Sequence, residues 1–362
     1  MPDVVILGAG MAGMACARTL LQRGLRPLLV APEPDVASRG ETLSFRASPY
    51  LERLGWLDLL DAETATPCQG RYSLWGSAAL RRDASHQDEQ PGWHIDRRRL
   101  EARMADTLDT AGIARRRTEA RQLSQEPSEV TIALADGGSI DAAYVIDCTG
   151  RAAVTAGPDT PLRRLDRLVG CYCVLTLDDD VDAVAATLVE AVADGWWYMT
   201  VMPGGRSLLC YFTDSDLLPP GLRKDPGLLG PLLSQTQAIA ARLDSLGLDP
   251  TASGALIFAP ASTATQVRLI EHRIIRAGDA ASALDPLGAN GLATALWSGI
   301  QAAESVIGLL AGNDSQAKDY ERRFLEGIAS FLTTQRAMYA SERRFSDASF
   351  WQRRSHAAPA RA

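Results

Sequence analysis

The 362 residues leave room for about two domains at roughly 100 to 200 residues each, and 46% hydrophobic with 22% charged residues is a globular composition, which excludes a largely disordered, collagen-like or coiled-coil chain. Lys and Arg number 37 against 44 Asp and Glu, so the net charge of −7 argues against nucleic acid as a partner. No stretch of 18 apolar residues occurs, and no membrane span is expected.

Lys224 and Lys318 are the only lysines, so 35 of the 37 basic residues are arginine. The six cysteines, Cys16, Cys68, Cys148, Cys171, Cys173 and Cys210, contain no C-x-x-C pair, and four histidines are too few to build an obvious zinc site with them. They read as reduced thiols, mostly small core residues, of a cytoplasmic protein. The apolar N-terminus carries Asp3 and several glycines and lacks a basic leader, which fits a strand entering a turn better than a secretory signal.

Val4 to Leu7 is a continuous apolar run, the pattern of a strand buried on both faces of a parallel sheet. Gly8-Ala9-Gly10-Met11-Ala12-Gly13 follows, then a helix from Met14 to Arg23 ended by Gly24, then a second strand from Leu28 to Ala31. Residues 32–49 are loop-like, Tyr50 to Asp61 has helical spacing, and 66–90 is mixed and polar. A strand at Trp93 to Ile95 and a helix at Arg97 to Leu108 come next; Val130 to Leu134 and Ser139 to Asp147 suggest a hairpin returning to the main sheet. Antiparallel strands are expected at 168–177, 196–203 and 207–213, the last two joined across Gly204-Gly205-Arg206. Glu271 to Ala277 reads as another buried strand, Asn290 to Leu310 as a helix, and Gln316 to Arg354 as a helical tail.

Gly8-x-Gly10-x-x-Gly13 between a buried strand and a helix is the dinucleotide fingerprint in its required context. Its glycines allow a tight turn and close backbone approach, and the helix N-terminus, with the amides of Met11, Ala12 and Gly13, faces a pyrophosphate. The acid that ends the second strand in this motif is missing, since the strand closes on Ala31-Pro32; Glu33, two residues late, is the candidate substitute at the adenosine ribose. A second Gly-rich signature, Gly278-Asp279-Ala280-Ala281 followed by Asp285-Pro286-Leu287-Gly288-Ala289-Asn290-Gly291-Leu292, enters a helix whose N-terminus favours negative charge.

With both signatures in place the sequence resembles the superfamily of FAD-dependent monooxygenases and halogenases with the aromatic hydroxylase fold. The resemblance implies that Asp279 binds the ribityl chain, with Gly278 beside it in the cofactor site, and that Pro286, Gly288, Ala289, Asn290, Gly291 and Leu292 lie at the flavin pyrimidine edge. Arg39-Gly40-Glu41-Thr42 resembles the family's loop beside the flavin. Gly92 to Arg97 resembles the strand whose arginine, here Arg97, reaches the cofactor, and Val145 to Arg151 resembles the D-x-x-G element near FAD. Asp194 to Tyr198, Pro203 to Arg206, and Glu342 through Trp351 are similar to one subgroup, the flavoproteins of tryptophylquinone biogenesis, which oxygenate a tryptophan in the precursors of amine and amino-acid oxidases.

What this implies is an oxidoreductase: an FAD-dependent monooxygenase hydroxylating an aromatic ring through a C4a-hydroperoxyflavin. The ring is an indole or tryptophan, on a small molecule or on a peptide or protein. O2 is the co-substrate, and NAD(P)H or reduced flavin from a flavin reductase is the electron source. The alternatives are a flavin-dependent halogenase, a dehydrogenase or reductase of a small molecule, and a non-catalytic FAD-containing maturation protein. Halogenases of the superfamily use a lysine in the N-terminal part, where this chain has none; Arg71 lies in that region, and a guanidinium is not a nucleophilic amine. No catalytic residue is singled out. The pocket candidates are Glu41, Trp75, His94, Trp196 and Tyr198, with His94 open between proton shuttle and structural histidine and the aromatic residues open between pocket wall and core packing.

The expected architecture is α/β: a Rossmann-like FAD-binding domain with a parallel sheet (1–75, 93–158 and 269–312), an excursion at 76–92, an inserted antiparallel substrate domain at 159–268, and a C-terminal helical segment at 313–362.

Overall fold

The computed structural model describes residues 2–33, 40–82, 92–178, 181 and 183–355. β1 (Val4–Leu7) is buried at every position, α1 (Met11–Gln22) follows the glycine turn, and β2 (Leu28–Ala31) returns beside β1 in parallel. After β3 (Gly40–Leu43), α2 (Ser48–Leu54) stops earlier than the expected helix, because Gly55 takes a left-handed φ of +71° that reverses the chain. β4 (Ala65–Pro67), β5 (Gly70–Leu74) and β6 (Arg81–Arg82) precede β7 (Trp93–Asp96), which pairs with both β3 and β4, and α3 (Arg97–Thr110).

β8 (Ala114–Arg117) joins the edge of β2 in parallel, and β9 (Ala120–Gln125), β10 (Val130–Leu134) and β11 (Ser139–Ala142) form a separate antiparallel sheet. β12 (Tyr144–Asp147) then enters the main sheet beside β1, so the run read as one strand from Ser139 to Asp147 is divided between two sheets.

β13 (Arg163–Arg164) leads to the long strands β14 (Leu168–Thr176), β15 (Ala186–Val192), β16 (Gly195–Met202) and β17 (Arg206–Asp214), then to the short helices α4 (Leu229–Leu233) and α5 (Ala238–Ser245) and to β18 (Ile257–Pro260). β14 to β18 build, with β5 and β6, a seven-stranded sheet in the order β18-β14-β17-β16-β15-β5-β6, while β13 pairs in another sheet. β5 pairs in parallel with β15, so residues 70–74 belong to this sheet rather than to the first domain, where the sequence reading left them. Its sequence, GRYSL, has too little apolar alternation to announce a strand.

The seven-stranded sheet packs on both faces. One carries Trp197, Met199 and Tyr211 against Leu229, Ile239 and Leu243 of α4 and α5; the other carries Trp196, Cys210 and Phe212. The buried carboxylate of Glu190 is satisfied by the Gln237 and Ile239 amides at 2.6 and 2.8 Å, an anion at the start of α5.

β19 (Ala264–Thr265) precedes β20 (Ile270–Glu271) and β21 (Ile274–Arg276), which split the expected strand 271–277 into a hairpin because His272 adopts φ +51°. β21 lies beside β12, completing the main sheet as β20-β21-β12-β1-β2-β8. β22 (Ser282–Ala283) pairs with β19, and α6 (Gly291–Leu310) packs on α1 where Gly299 meets Ala12: a Cβ at 299 would lie 2.2 Å from the Ala12 carbonyl oxygen. α7 (Ser315–Ser341) and α8 (Ser349–Ser355) run back to the second face of the seven-stranded sheet, which they cover with Tyr339, Phe350 and Trp351.

Candidate functional site

Gly8 has φ +97°, and a Cβ there would sit 2.3 Å from the Cys148 carbonyl oxygen; a Cβ on Gly13 would sit 1.9 Å from the Gly8 carbonyl oxygen. These two glycines are demanded by the protein itself. Gly10 is different: it is the N-cap of α1, and a Cβ on it would meet no protein atom within 4 Å. The first turn of α1 holds no acidic residue and its N-cap makes no side-chain bond. The Met11 amide is met by the Glu101 carboxylate of α3, but the space before Gly10 stays open at a helix N-terminus, which is the cradle a pyrophosphate needs, so these residues fit a dinucleotide.

At the adenosine end Glu33 lies just beyond β2, largely exposed, with its carboxylate 2.6 Å from Arg117 Nη1 on β8. Arg39 lies outside the described residues. Gly40 opens β3 opposite Asp96 of β7, which sets Glu41 next to Arg97. Arg97 Nη1 donates to Glu41 Oε1 at 2.6 Å and its Nε donates to Glu101 Oε1 at 2.9 Å. The charge of Glu41, ahead of that of Glu101, holds the Arg97 guanidinium well above its ordinary value. Burial raises the Glu101 carboxyl, with Arg97 opposing. Asp96, almost fully buried, accepts from the Arg99 amide as the N-cap of α3 and from Arg206 Nη2 at 2.6 Å, which ties the β16–β17 hairpin to the first domain.

Gly278 turns the chain at φ +60° after β21, and its amide donates to Ser298 Oγ of α6 at 2.9 Å. Asp279 follows against the second turn of α6, 3.7 Å from Arg151 Nε; burial raises its carboxyl, against the pull of Arg151 and Arg97. Asp147 is spent internally, accepting from the Thr149 and Thr155 amides and hydroxyls to hold the turn that presents Arg151.

Pro286, Gly288 and Ala289 form a tight turn with Ala289 at φ +48°; Asn290 is the N-cap of α6 without a side-chain bond, Gly291 opens onto empty space, and Leu292 is buried. Asp285 anchors this loop. Its Oδ1 accepts from the Leu287 amide at 2.8 Å, and its Oδ2 accepts from Gln335 Nε2 and Tyr339 OH, both at 2.9 Å. Burial outweighs these donors and raises its carboxyl. The turn after β1 and Asp279 after β21 thus lie at strand ends of the main sheet, and the Glu41–Arg97 pair reaches them from the β3-β7-β4 sheet, since its charges act on Asp279 and its partner Glu101 accepts from the Met11 amide.

The pocket candidates part company. Tyr198 OH lies 2.5 Å from Thr42 Oγ1, beside Glu41, and burial raises its phenol. Trp196 stacks on Phe212 at 4.1 Å and donates from Nε1 to Tyr339 OH at 3.1 Å. Trp75 lies edge-on to Trp351 at 5.2 Å and donates to the Met338 carbonyl at 2.9 Å. Both tryptophans belong to one packed aromatic cluster. Trp197 faces the opposite side, stacked on Tyr211, as strand alternation requires.

His94 is fully buried on β7, with Nε2 2.9 Å from Thr187 Oγ1 and no hydrogen-bond partner for Nδ1 among the described residues. Burial, then the charge of Arg242, pushes it down to about 3, so the ring is neutral near pH 7.

All six cysteines are free and buried, and Cys171 is pushed up to about 12 by burial. Among the described residues no cluster of His, Cys, Asp and Glu is placed to hold a metal, and no helix is long and apolar enough to cross a membrane. Sequence reasoning quoted Thr42 and Asp285 within their motifs without giving either a role, and passed over Tyr339. Asp285 carried a signal, the Asp-Pro before a Gly-rich helix start; Tyr339 has the spacing of any core residue on an amphipathic helix.

A family model described as lycopene cyclase protein matches residues 3–165. The "Putative FAD-dependent oxidoreductase LodB" of Marinomonas mediterranea is 25% identical over 97% of this chain and 96% of its own length. The ubiquinone hydroxylase UbiL of Rhodospirillum rubrum is 25% identical over 80% of this chain and 68% of its own. Among solved structures, the peptidyl tryptophan dihydroxylase QhpG, described as essential for tryptophylquinone cofactor biogenesis, superposes with a TM-score of 0.80 at 24% identity over 100% of this chain and 80% of its own. The myxobacterial chondrochloren halogenase CndH, an FAD-dependent halogenase, superposes with a TM-score of 0.82 at 20% identity over 98% and 85%.

Proposed function

From the fold of the FAD-dependent monooxygenases and halogenases, which this chain has, we propose that the protein is an FAD-dependent oxidoreductase that hydroxylates an aromatic ring. Its substrate is an indole or tryptophan, on a small molecule or a peptide. When bound, FAD supplies the oxygen chemistry, with O2 as co-substrate and NAD(P)H or reduced flavin from a reductase as electron source. The chain supplies binding, orientation and electrostatics. The α1 N-terminus with Gly10 holds the pyrophosphate, Asp279 the ribityl chain, and the loop from Pro286 to Leu292 the pyrimidine edge. There the positive end of α6 favours negative charge. The hydroxyl pair of Thr42 and Tyr198 holds a proton beside Glu41, at the junction of the two sheets.

The observation that favours hydroxylation over halogenation is the placement of the amines. Lys224 lies in an exposed turn, and Lys318 is 74% exposed on α7 in a pair with Asp314; neither reaches the site. The half-buried strand position at 71 carries an arginine, whose guanidinium is not a nucleophilic amine and does not carry a halogen as one does.

The test is mass spectrometry of FAD-loaded protein given reduced flavin, labelled O2 and a panel of indoles and tryptophan peptides. A product carrying one labelled oxygen atom is expected. A product oxidised without label would replace this reading by a dehydrogenase, and absence of turnover across the panel with bound FAD would favour the maturation protein.

A further inference from the structure

Behind the loop that carries Asp285, a cavity of about 440 Å³ opens between α6 and α7. Its walls are apolar and aromatic: Leu287 from the loop, Trp297 from α6, and Phe331 and Met338 from α7. Two guanidinium groups border it, Arg46 from the segment after β3 and Arg323 from α7. Arg323 leans over the wall, with its guanidinium carbon 5.6 Å from the Trp297 ring centre, and it also lies 3.6 Å from Asp319 on the exposed side of α7.

The carboxylate in the lining is Asp285, and its oxygens face the Leu287 amide, Gln335 and Tyr339 rather than the cavity's cations. A flat ring gains contact area and π-stacking from these walls, and an anion on that ring gains from the Arg323 guanidinium, which suits a planar carboxylate, with Arg46 adding its charge beside an interaction it already makes. The one carboxylate in the described lining is already bonded, so a cationic appendage finds only uncharged acceptors there, such as the Asn290 and Gln335 amides.

We propose that this cavity is a binding site for an aromatic carboxylate, its ring against Trp297 and Phe331 and its carboxylate toward Arg46 and Arg323. The proposal is read by binding and does not rest on the hydroxylase reading. Gln335 lines the cavity and also donates to Asp285, so an occupant touches the hydrogen-bond network of the 285–292 loop.

The experiment is calorimetric titration of the FAD-loaded full chain with indole-3-acetate, indole and tryptamine at low and moderate salt. Indole-3-acetate binds at least about tenfold more tightly than tryptamine, a difference of about 1.4 kcal/mol, and the margin shrinks as salt rises. Thr334→Trp, an exposed α7 position on the cavity rim, weakens indole-3-acetate by about tenfold with the melting temperature unchanged. Arg323→Gln removes the preference for the acid while indole itself still binds. Equal binding of acid and amine, Thr334→Trp protein that binds as wild type, or binding seen only before FAD is loaded would each overturn the proposal, the last by assigning the cavity to the flavin.

Discussion

Gly10 and Gly13 stand three residues apart in one motif and answer to different constraints. A methyl on Gly13 enters the Gly8 carbonyl oxygen at 1.9 Å, so Gly13→Ala forces the β1–α1 turn apart and destabilises the protein by about 1–3 kcal/mol, as overpacking does. A methyl on Gly10 meets no protein atom within 4 Å. Gly10→Ala therefore unfolds within about 0.5 kcal/mol of wild type and loses at least about tenfold in FAD affinity, because the methyl occupies the space proposed above for the phosphate. Denaturation of the apoprotein and flavin titration of both variants check the pair; equal stability loss in both would remove the distinction. His94 gives a pH signature of its own. Its value in the fold, about 3, lies below the ordinary 6.5, so its contribution is full above pH 6.5 and is lost as pH falls toward 3. Between pH 7.5 and 5.5 the loss is on the order of 1 kcal/mol. His94→Gln loses that amount less than wild type over the same interval in urea unfolding.

The elements differ in how openly their residues declare them. The βαβ unit was legible because a continuous apolar run, a glycine turn in context and a helix follow one another without competing signals, and residues 285–292 were legible because glycines precede a long apolar helix. β5 and β15 were not. β5 is short and polar, and β15, ATLVEAV, holds a glutamate that looks solvent-bound until the α5 amides that satisfy it are known. The split of residues 270–276 was equally hidden, since a positive φ at a histidine has no sequence marker. The C-terminal tail was read as helical, but its purpose lies in contacts far along the chain. α8 is clasped to the seven-stranded sheet by Trp351 Nε1 donating to the Val192 carbonyl at 2.9 Å and by Arg353 and Arg354 pairing with the buried Asp214 at 2.8 and 2.7 Å. Trp351→Ala empties an aromatic position touching Trp75, Tyr339 and Phe350 and costs about 3–5 kcal/mol. Limited proteolysis then cuts between α7 and α8 while the main sheet stays protected; a tail as resistant as wild type would mean that the arginine pairs suffice.

Across the whole molecule a single chain of hydrogen bonds joins three parts that the sequence separates by dozens of residues. Trp196 of the seven-stranded sheet donates to Tyr339 of α7, Tyr339 donates to Asp285, and Asp285 accepts from the Leu287 amide in the loop read as the flavin edge. No spacing in the sequence points to this line, because Trp196 and Tyr339 are ordinary core residues of their own elements, Asp285 marks only its own loop, and the packing of α7 brings them together. It gives the sheet that would carry the aromatic substrate a mechanical route to the loop that would carry the cofactor. Tyr339→Phe cuts that route without changing the volume of the core. It leaves the Trp196 N–H buried and unpaired and deprives Asp285 of one donor, which costs about 1–3 kcal/mol in stability. FAD affinity stays near wild type, since no backbone atom of the 285–292 loop loses its bond. The diagnostic change lies in coupling. If the sheet and the loop act together during turnover, the variant releases more peroxide and forms less oxygenated product per O2 consumed. If they act independently, the two proteins share one product-to-oxygen ratio and differ only in melting temperature.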